Sequence, residues 1–193
     1  MAIPSFQLLW DQKVIPNGER EYSNAGVLPA PALTIKAIGN QWNWDFEYTD
    51  HEDLDFTSIM KTDDELLEGE PRLLAVDNEV VVPVNATIRL QVTASDVLHS
   101  FAMPAFGVKI DAVPGRINET WFNAQKEGVY YGQCSEICGK DHAFMPIAIR
   151  VVAEDMYDEW LVAAKEDVEG AGEVLRQRLA AQTEEKLQRL ARN

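Results

Sequence analysis

Cys134, Cys138, His142 and Met145 fall within one short stretch of this chain, spaced Cys-x3-Cys-x3-His-x2-Met. Two thiols, an imidazole and a thioether are soft or borderline donors. Such a set suits copper best and zinc next, and it excludes magnesium or calcium. The same spacing would also place the four residues on one side of a helix, as a buried face. Three neighbours argue against that. Gly132 and Gly139 disfavour a continuous helix. Gly128-Val129-Tyr130-Tyr131 reads as a strand feeding a loop, and Pro146 stops a helix at the last donor.

A one-copper electron-transfer site uses one cysteine, two histidines and a weak axial methionine. This loop has one cysteine more and one histidine fewer. Only His51 and His99 remain to supply the second imidazole. His51 sits among Asp50, Glu52 and Asp53 in a polar turn. His99 follows Ser95-Asp96-Val97-Leu98 at the end of a clear strand, where it can reach a loop that follows another strand. His99 is therefore the expected distant ligand. Two thiolates can bridge two metal ions, each with one histidine. Met145 would complete one ion, and a backbone carbonyl between the cysteines, such as that of Glu136, the other. Such a site suits the passage of single electrons. The residues leave two rivals open: zinc on His99, Cys134, Cys138 and His142, and a Cys134–Cys138 disulfide. Nothing resembles an acid–base pair or an activated nucleophile.

These donors need a scaffold. The chain has 193 residues, 46% hydrophobic and 25% charged, which suits one domain plus an appendage. The net charge of −15 makes nucleic acid an unsuitable partner, since phosphate binding needs a basic face. It fits a cationic protein partner or plain solubility equally well. No window reaches the roughly 20 apolar residues of a membrane helix, and no signal peptide is visible at Met1-Ala2-Ile3-Pro4. Residues 1–31 read as an irregular lead-in arm, punctuated by Pro4, Pro16, Asn17-Gly18, Pro29 and Pro31. Residues 32–153 read as short strands: Leu33–Ile38, Thr87–Thr93 and Ile147–Val152 alternate as half-buried strands do. The acidic stretch Asp63–Pro71 reads as a loop or short helix. An antiparallel sandwich or barrel follows. Residues 154–193 read as helix, divided by Gly170 and Gly172, with Met156, Trp160 and Ala164 docked on the sandwich. Beyond Gly172, Leu175, Leu179, Leu187 and Leu190 make a weak stripe, and a frayed, solvated tail is expected.

Gln133-Cys134-Ser135-Glu136-Ile137-Cys138-Gly139 with His142 and Met145 resembles the dinuclear copper (CuA) loop of cytochrome c oxidase subunit II. Gln41-Trp42-Asn43-Trp44, Asp96-Val97-Leu98-His99-Ser100 and Asp111-Ala112-Val113-Pro114-Gly115-Arg116 extend the likeness over about Ile35–Val152. The resemblance implies an all-β, cupredoxin-like Greek-key barrel or sandwich with a C-terminal helical extension. It implies two copper ions held by His99, Cys134, Cys138, His142, Met145 and the main-chain carbonyl of Glu136. The Glu136 side chain would help hold magnesium or manganese at the interface with subunit I, and Asp111 would lie near that interface. Cytochrome c would deliver electrons at Trp42, docking on Glu47, Asp77 and Asp96. The electrons would pass to the haem of subunit I for oxygen reduction, in a proton-pumping oxidase of the bacterial inner membrane, on its periplasmic face.

Read from the residues alone, Trp42, Trp44, Phe46 and Tyr48 alternate with Asn43, Asp45 and Glu47, which puts all four aromatics on one core face. Trp42 surfaces only if the strand begins or bends there. Acids cluster around this run at Asp45, Glu47, Asp50, Glu52, Asp53 and Asp55. The family usually has an N-terminal membrane hairpin. Ala2 onward resembles the segment after it, so a soluble fragment with an added Met1 is expected, acting alone as an electron carrier. Asn40 and Asn43 stand where relatives more often have His and Tyr. Nitrous oxide reductase shares the copper loop, but Trp42 and the Asp111–Arg116 segment favour the oxidase.

Overall fold

The computed structural model describes residues 2–22, 26–52 and 54–192. Asp53 of the acidic cluster and the expected added Met1 lie outside the described residues. The alternating segments form two five-stranded sheets. One comprises β3 (Leu33–Asn40), β4 (Asn43–Tyr48), β5 (Asp55–Ser58), β7 (Thr87–Ala94) and β10 (Asn118–Asn123), in the order β10-β7-β3-β4-β5. The other comprises β6 (Val80–Pro83), β8 (His99–Met103), β9 (Val108–Ala112), β11 (Gly128–Cys134) and β12 (Pro146–Val152), in the order β6-β12-β11-β8-β9. A two-residue pair, β1 (Glu21–Tyr22) and β2 (Gly26–Val27), precedes them. Most pairings are antiparallel, but β3 runs parallel to β7 and β12 parallel to β6. The result is a sandwich of the cupredoxin-like type.

Period-2 patterning explains the first sheet. Leu33, Ile35 and Ala37 of β3, Trp44, Phe46 and Tyr48 of β4, and Ile88, Leu90 and Val92 of β7 are all buried against the other sheet. Burying a side chain such as Phe46 contributes about 1.5–3 kcal/mol. Tyr48 pins the sheets together: its hydroxyl donates to Val81 O at 2.8 Å and accepts from Val81 N at 2.9 Å. Burial and the field of Tyr157 hold its phenol well above the usual tyrosine range. Strands β6 and β12 are buried along nearly their whole length, and α2 (Glu154–Ala164) lies against β6. Met156, Tyr157, Trp160 and Ala164 form the buried face of α2, with the Trp160 ring 5.6 Å from that of Tyr48.

Three expectations need correction. The start of the chain is not irregular: Ala2–Lys13 is helix α1. Pro4 does not break it because it lies in the first turn, where an N–H has no partner inside the helix. This helix exposes Ile3, Phe6, Leu8, Leu9 and Trp10. It is tied to β10 by Trp121 Nε1, which donates to Asp11 O at 3.1 Å. At the other end, Gly170 and Gly172 do not divide the tail. The break falls at residues 165–167, and Asp167 caps α3 (Val168–Ala191) by accepting from Gly170 N at 3.1 Å. Both glycines therefore lie inside the helix. The stretch beyond Gly172 is helical rather than frayed; Leu175 is buried and Leu179 partly so, while Leu187 and Leu190 are exposed. Asp63–Pro71 forms turns rather than a helix. Among the described residues, no helix is long and apolar enough to cross a membrane.

Candidate metal centre

The loop from Cys134 to Met145 joins two antiparallel neighbours. Cys134 ends β11, and Met145 stands just before β12. Cys134 N donates to Met145 O at 3.1 Å, which closes the base of the loop. On the other flank of β11 runs β8, whose first residue is His99. Cys134 faces Phe101, and Ser135 N donates to Ser100 O at 2.9 Å. A short 3-10 turn covers His142–Phe144. The donors therefore come from a strand end, a loop and a neighbouring strand start, and the helical-face reading is overturned.

The side chains converge. Cys134 Sγ lies 3.9 Å from Cys138 Sγ, 3.8 Å from His99 Nδ1 and 3.4 Å from Glu136 O. Cys138 Sγ lies 3.5 Å from His142 Nδ1 and 3.7 Å from Met145 Sδ. Both cysteines are free thiols. The ligand atoms of His99, Cys134 and Cys138 all lie within 4.8 Å of one another. His99 is wholly buried, and Cys134, Cys138 and Met145 nearly so, while His142 is half-buried. Burial, reinforced by the adjacent Cys134, pushes the Cys138 thiol up to about 12. The thiol thus holds its proton at neutral pH until a cation displaces it. Two sulfurs, two imidazoles and a thioether fit a soft or borderline metal, and the lone carbonyl oxygen is too little to hold a hard one. His51 stays outside the group, in the turn after β4, donating its N–H to Tyr48 O at 2.8 Å.

Two glycines let neighbouring segments close on the loop. A methyl on Gly39 would stand 2.9 Å from Cγ and Cδ2 of His99, so the imidazole rests directly on β3. Gly139 adopts φ +126°, and a methyl there would meet Trp42 Cζ2 at 2.9 Å. Trp42 lies in the turn before β4 and is half-buried, whereas Trp44, Phe46 and Tyr48 are core. The four-aromatic core face is thus three residues long, because the strand begins after Trp42. Lys140 Nζ sits 5.5 Å from the centre of the Trp42 ring. Gln41 Nε2 donates to Cys138 O at 2.7 Å.

The Glu136 side chain is exposed, beside the buried thiols. Asp111 is exposed on β9, in register with Ser100 next to His99. The three expected docking acids all have local partners. Glu47 pairs with Lys36 at 2.9 Å. Asp77 accepts from Ile59 N at 2.7 Å and Asn78 N at 2.6 Å. Asp96 Oδ1 lies 2.9 Å from His99 Nε2. Burial works to raise the Asp96 carboxyl, but hydrogen bonds from His99, Val97 N and Gln41 N outweigh it and hold it below the usual range. Gln41 and Gly139 stand in the motifs quoted above but without a role at the site, and Gly39 escaped the sequence reading altogether. For Gln41, the adjoining Trp42 was the available signal.

Among families of known proteins, the one described as "Cytochrome C oxidase subunit II, periplasmic domain" matches residues 33–152. A probable cytochrome c oxidase subunit 2 of Rickettsia bellii is 51% identical over 173 residues, covering 90% of this chain and 59% of that one. Cytochrome c oxidase subunit 2 of Zea mays is 52% identical over 166 residues, covering 83% and 59%. The chain thus spans less than two thirds of the length of these curated relatives. Among solved structures, the periplasmic domain of subunit II of cytochrome oxidase (CoxB) of Bradyrhizobium japonicum is 58% identical. It has a TM-score of 0.68 and covers 74% of this chain and 99% of that one. A second similar structure is a mixed-disulfide intermediate between a thioredoxin-like protein and subunit II of cytochrome c oxidase. It is 56% identical with a TM-score of 0.64, covering 76% of this chain and 99% of that one.

Proposed function

This chain belongs to the cytochrome c oxidase subunit II family, and on that premise we propose that it holds the dinuclear copper centre through which a terminal oxidase takes electrons from cytochrome c. The observation that carries the reading is the convergence of six donors from two separate segments around the Cys134–Cys138 pair. Cys134 and Cys138 would bridge the two ions, His99 and His142 would each bind one through Nδ1, and Met145 and the Glu136 carbonyl would serve as weak ligands. Copper bound there would supply a one-electron couple among ligands that are mostly buried, His99, Cys134, Cys138 and Met145.

The chain's own residues do the rest. Trp42, half-buried against Gly139, offers an aromatic surface at the outer side of the loop, and Gln41 ties its turn to the Cys138 carbonyl. Glu47, Asp77 and Asp96 lie on an acidic protein of net charge −15, which favours encounter with a lysine-rich cytochrome c. The exposed Glu136 side chain would face subunit I and help hold magnesium or manganese, with Asp111 close to the same interface. Electrons would leave for the haem of subunit I, where oxygen is reduced. The domain would work at the periplasmic face of the bacterial inner membrane. The lead-in arm (1–31), the copper domain (32–153) and the helical extension (154–193) would be its three parts.

A related subunit II forms a mixed disulfide with a thioredoxin-like protein. Were Cys134 and Cys138 oxidised to a disulfide, a thiol reductant of that kind would attack one sulfur, release the other as a thiol and, through a second thiol of its own, leave both cysteines reduced for metal loading. The electron-transfer reading is tested by mixing copper-loaded protein with reduced cytochrome c in a stopped-flow instrument. Rapid oxidation of the cytochrome that slows as salt rises supports it. No electron uptake overturns the transfer role, and a rate indifferent to salt overturns the docking role.

A further inference from the structure

Asp96 uses its carboxylate in a way that long-range charge does not require. Oδ2 accepts from Gln41 N at 2.7 Å, and Oδ1 accepts from Val97 N at 2.6 Å and lies 2.9 Å from His99 Nε2. His99 is wholly buried, whereas the Asp96 side chain is 33% exposed. An ionised carboxylate only accepts hydrogen bonds. Its contact with Nε2 therefore requires the proton on that nitrogen. With that proton on Nε2, Nδ1 is the nitrogen left to bind a metal, and it lies 3.8 Å from Cys134 Sγ. A carboxylate behind a ligating imidazole fixes both the tautomer and the orientation of the ring.

The same carboxylate reaches a second part of the site. Gln41 N belongs to the turn that carries Trp42, and the Gln41 side chain holds Cys138 O at 2.7 Å. One side chain thus joins three segments: the Trp42 turn, the start of β8 and, through Gln41, the cysteine loop. Glu47 and Asp77 make no such contact with a donor of the loop; their partners are Lys36, Ile59 and Asn78. Asp96 therefore differs in kind from the other two acids.

We propose that Asp96 is a positioning residue, which presets His99 Nδ1 toward the thiols and locks the Trp42 turn onto the same frame. The inference deepens the electron-transfer reading above and rests on it for the role of Trp42. Its part concerning His99 stands on the metal-free protein.

The test separates charge from geometry with three variants. Asp96→Glu keeps the charge and moves the carboxylate; Asp96→Asn keeps the shape and removes the charge; Asp96→Ala removes both. Nitrogen NMR of the metal-free full chain reads the His99 tautomer directly, and titration with copper reads affinity and the spectrum of the loaded centre. The wild type is expected to show the His99 proton on Nε2. Asp96→Ala and Asp96→Glu are expected to mix the tautomers, weaken copper binding by about 10- to 100-fold and alter the copper spectrum. Asp96→Asn, whose carbonyl can still accept from Nε2 but whose amide nitrogen cannot accept from Gln41 N, is expected to keep the His99 proton on Nε2 and to lose copper affinity less than Asp96→Ala, and so guards against a misfolded Ala variant. Wild-type nitrogen shifts and copper spectra in all three, with only the salt-dependent association rate reduced in Asn and Ala, would overturn the proposal and leave Asp96 a docking acid. If the wild type takes up no copper, the electron-transfer reading fails, while the nitrogen shifts still decide the role of Asp96 toward His99.

Discussion

The indole ring of Trp42 lies against the backbone of Gly139 so closely that a single methyl on the glycine would come within 2.9 Å of Cζ2 and 3.2 Å of Nε1. Gly139 directly follows Cys138, so the outer aromatic and the buried thiol are separated by one residue of backbone. Both the approach and the φ of +126° exclude a side chain there. Gly139→Ala is expected to destabilise the metal-free protein by about 1–3 kcal/mol and to slow electron uptake from cytochrome c. Denaturant titration and stopped-flow mixing check the two effects. Wild-type behaviour in both would mean that the Trp42–Gly139 contact is dispensable.

The C-terminal helices carry part of the core. Trp160 is buried on α2 and meets Tyr48 from outside the sandwich. Trp160→Ala is expected to cost about 3–5 kcal/mol, because the docked helix leaves little room for collapse. Thermal or denaturant unfolding measures it. A loss well under 1 kcal/mol would show that α2 is only loosely attached.

Acid stability depends partly on Glu70. Burial works to raise its carboxyl, but Leu67 N and the Lys61 ammonium, at 2.9 Å, outweigh it and hold it below the usual range. A depressed carboxylate contributes stability above its unfolded value of about 4.3. That contribution is lost as pH falls through the folded value. Glu70→Gln is therefore expected to be less stable than wild type at neutral pH and to lose less on acidification. Denaturant titrations at stepped pH check it; parallel curves for the two proteins would remove Glu70 from the acid transition.

Much of this was legible in the sequence because it is local. The donor spacing in Cys134–Met145 needs no knowledge of distant contacts, and the scarcity of histidine leaves His99 as the expected partner. Period-2 patterning places Trp44, Phe46 and Tyr48 in the core. What escaped is either a matter of capping or of contacts between segments far apart in sequence. Pro4 and Gly170 look like breakers until their places in the first turns of α1 and α3 are known. The reach of Gln41 to Cys138 spans 97 residues and leaves no periodic trace. Asp96 stands three residues before His99, a spacing that was visible, yet its carboxylate could face either solvent or the ring until the turn was seen.

The central claim is that Cys134 and Cys138 jointly hold two copper ions, and metal analysis combined with an electron-spin spectrum tests it most directly. Two coppers per chain, with one unpaired electron spread over both nuclei, are expected for the reduced apoprotein after copper loading. Cys138→Ser is expected to lose that signal, since a single sulfur cannot close the pair. One zinc per chain with no colour, or a two-copper Cys138→Ser protein with the wild-type spectrum, would contradict the account.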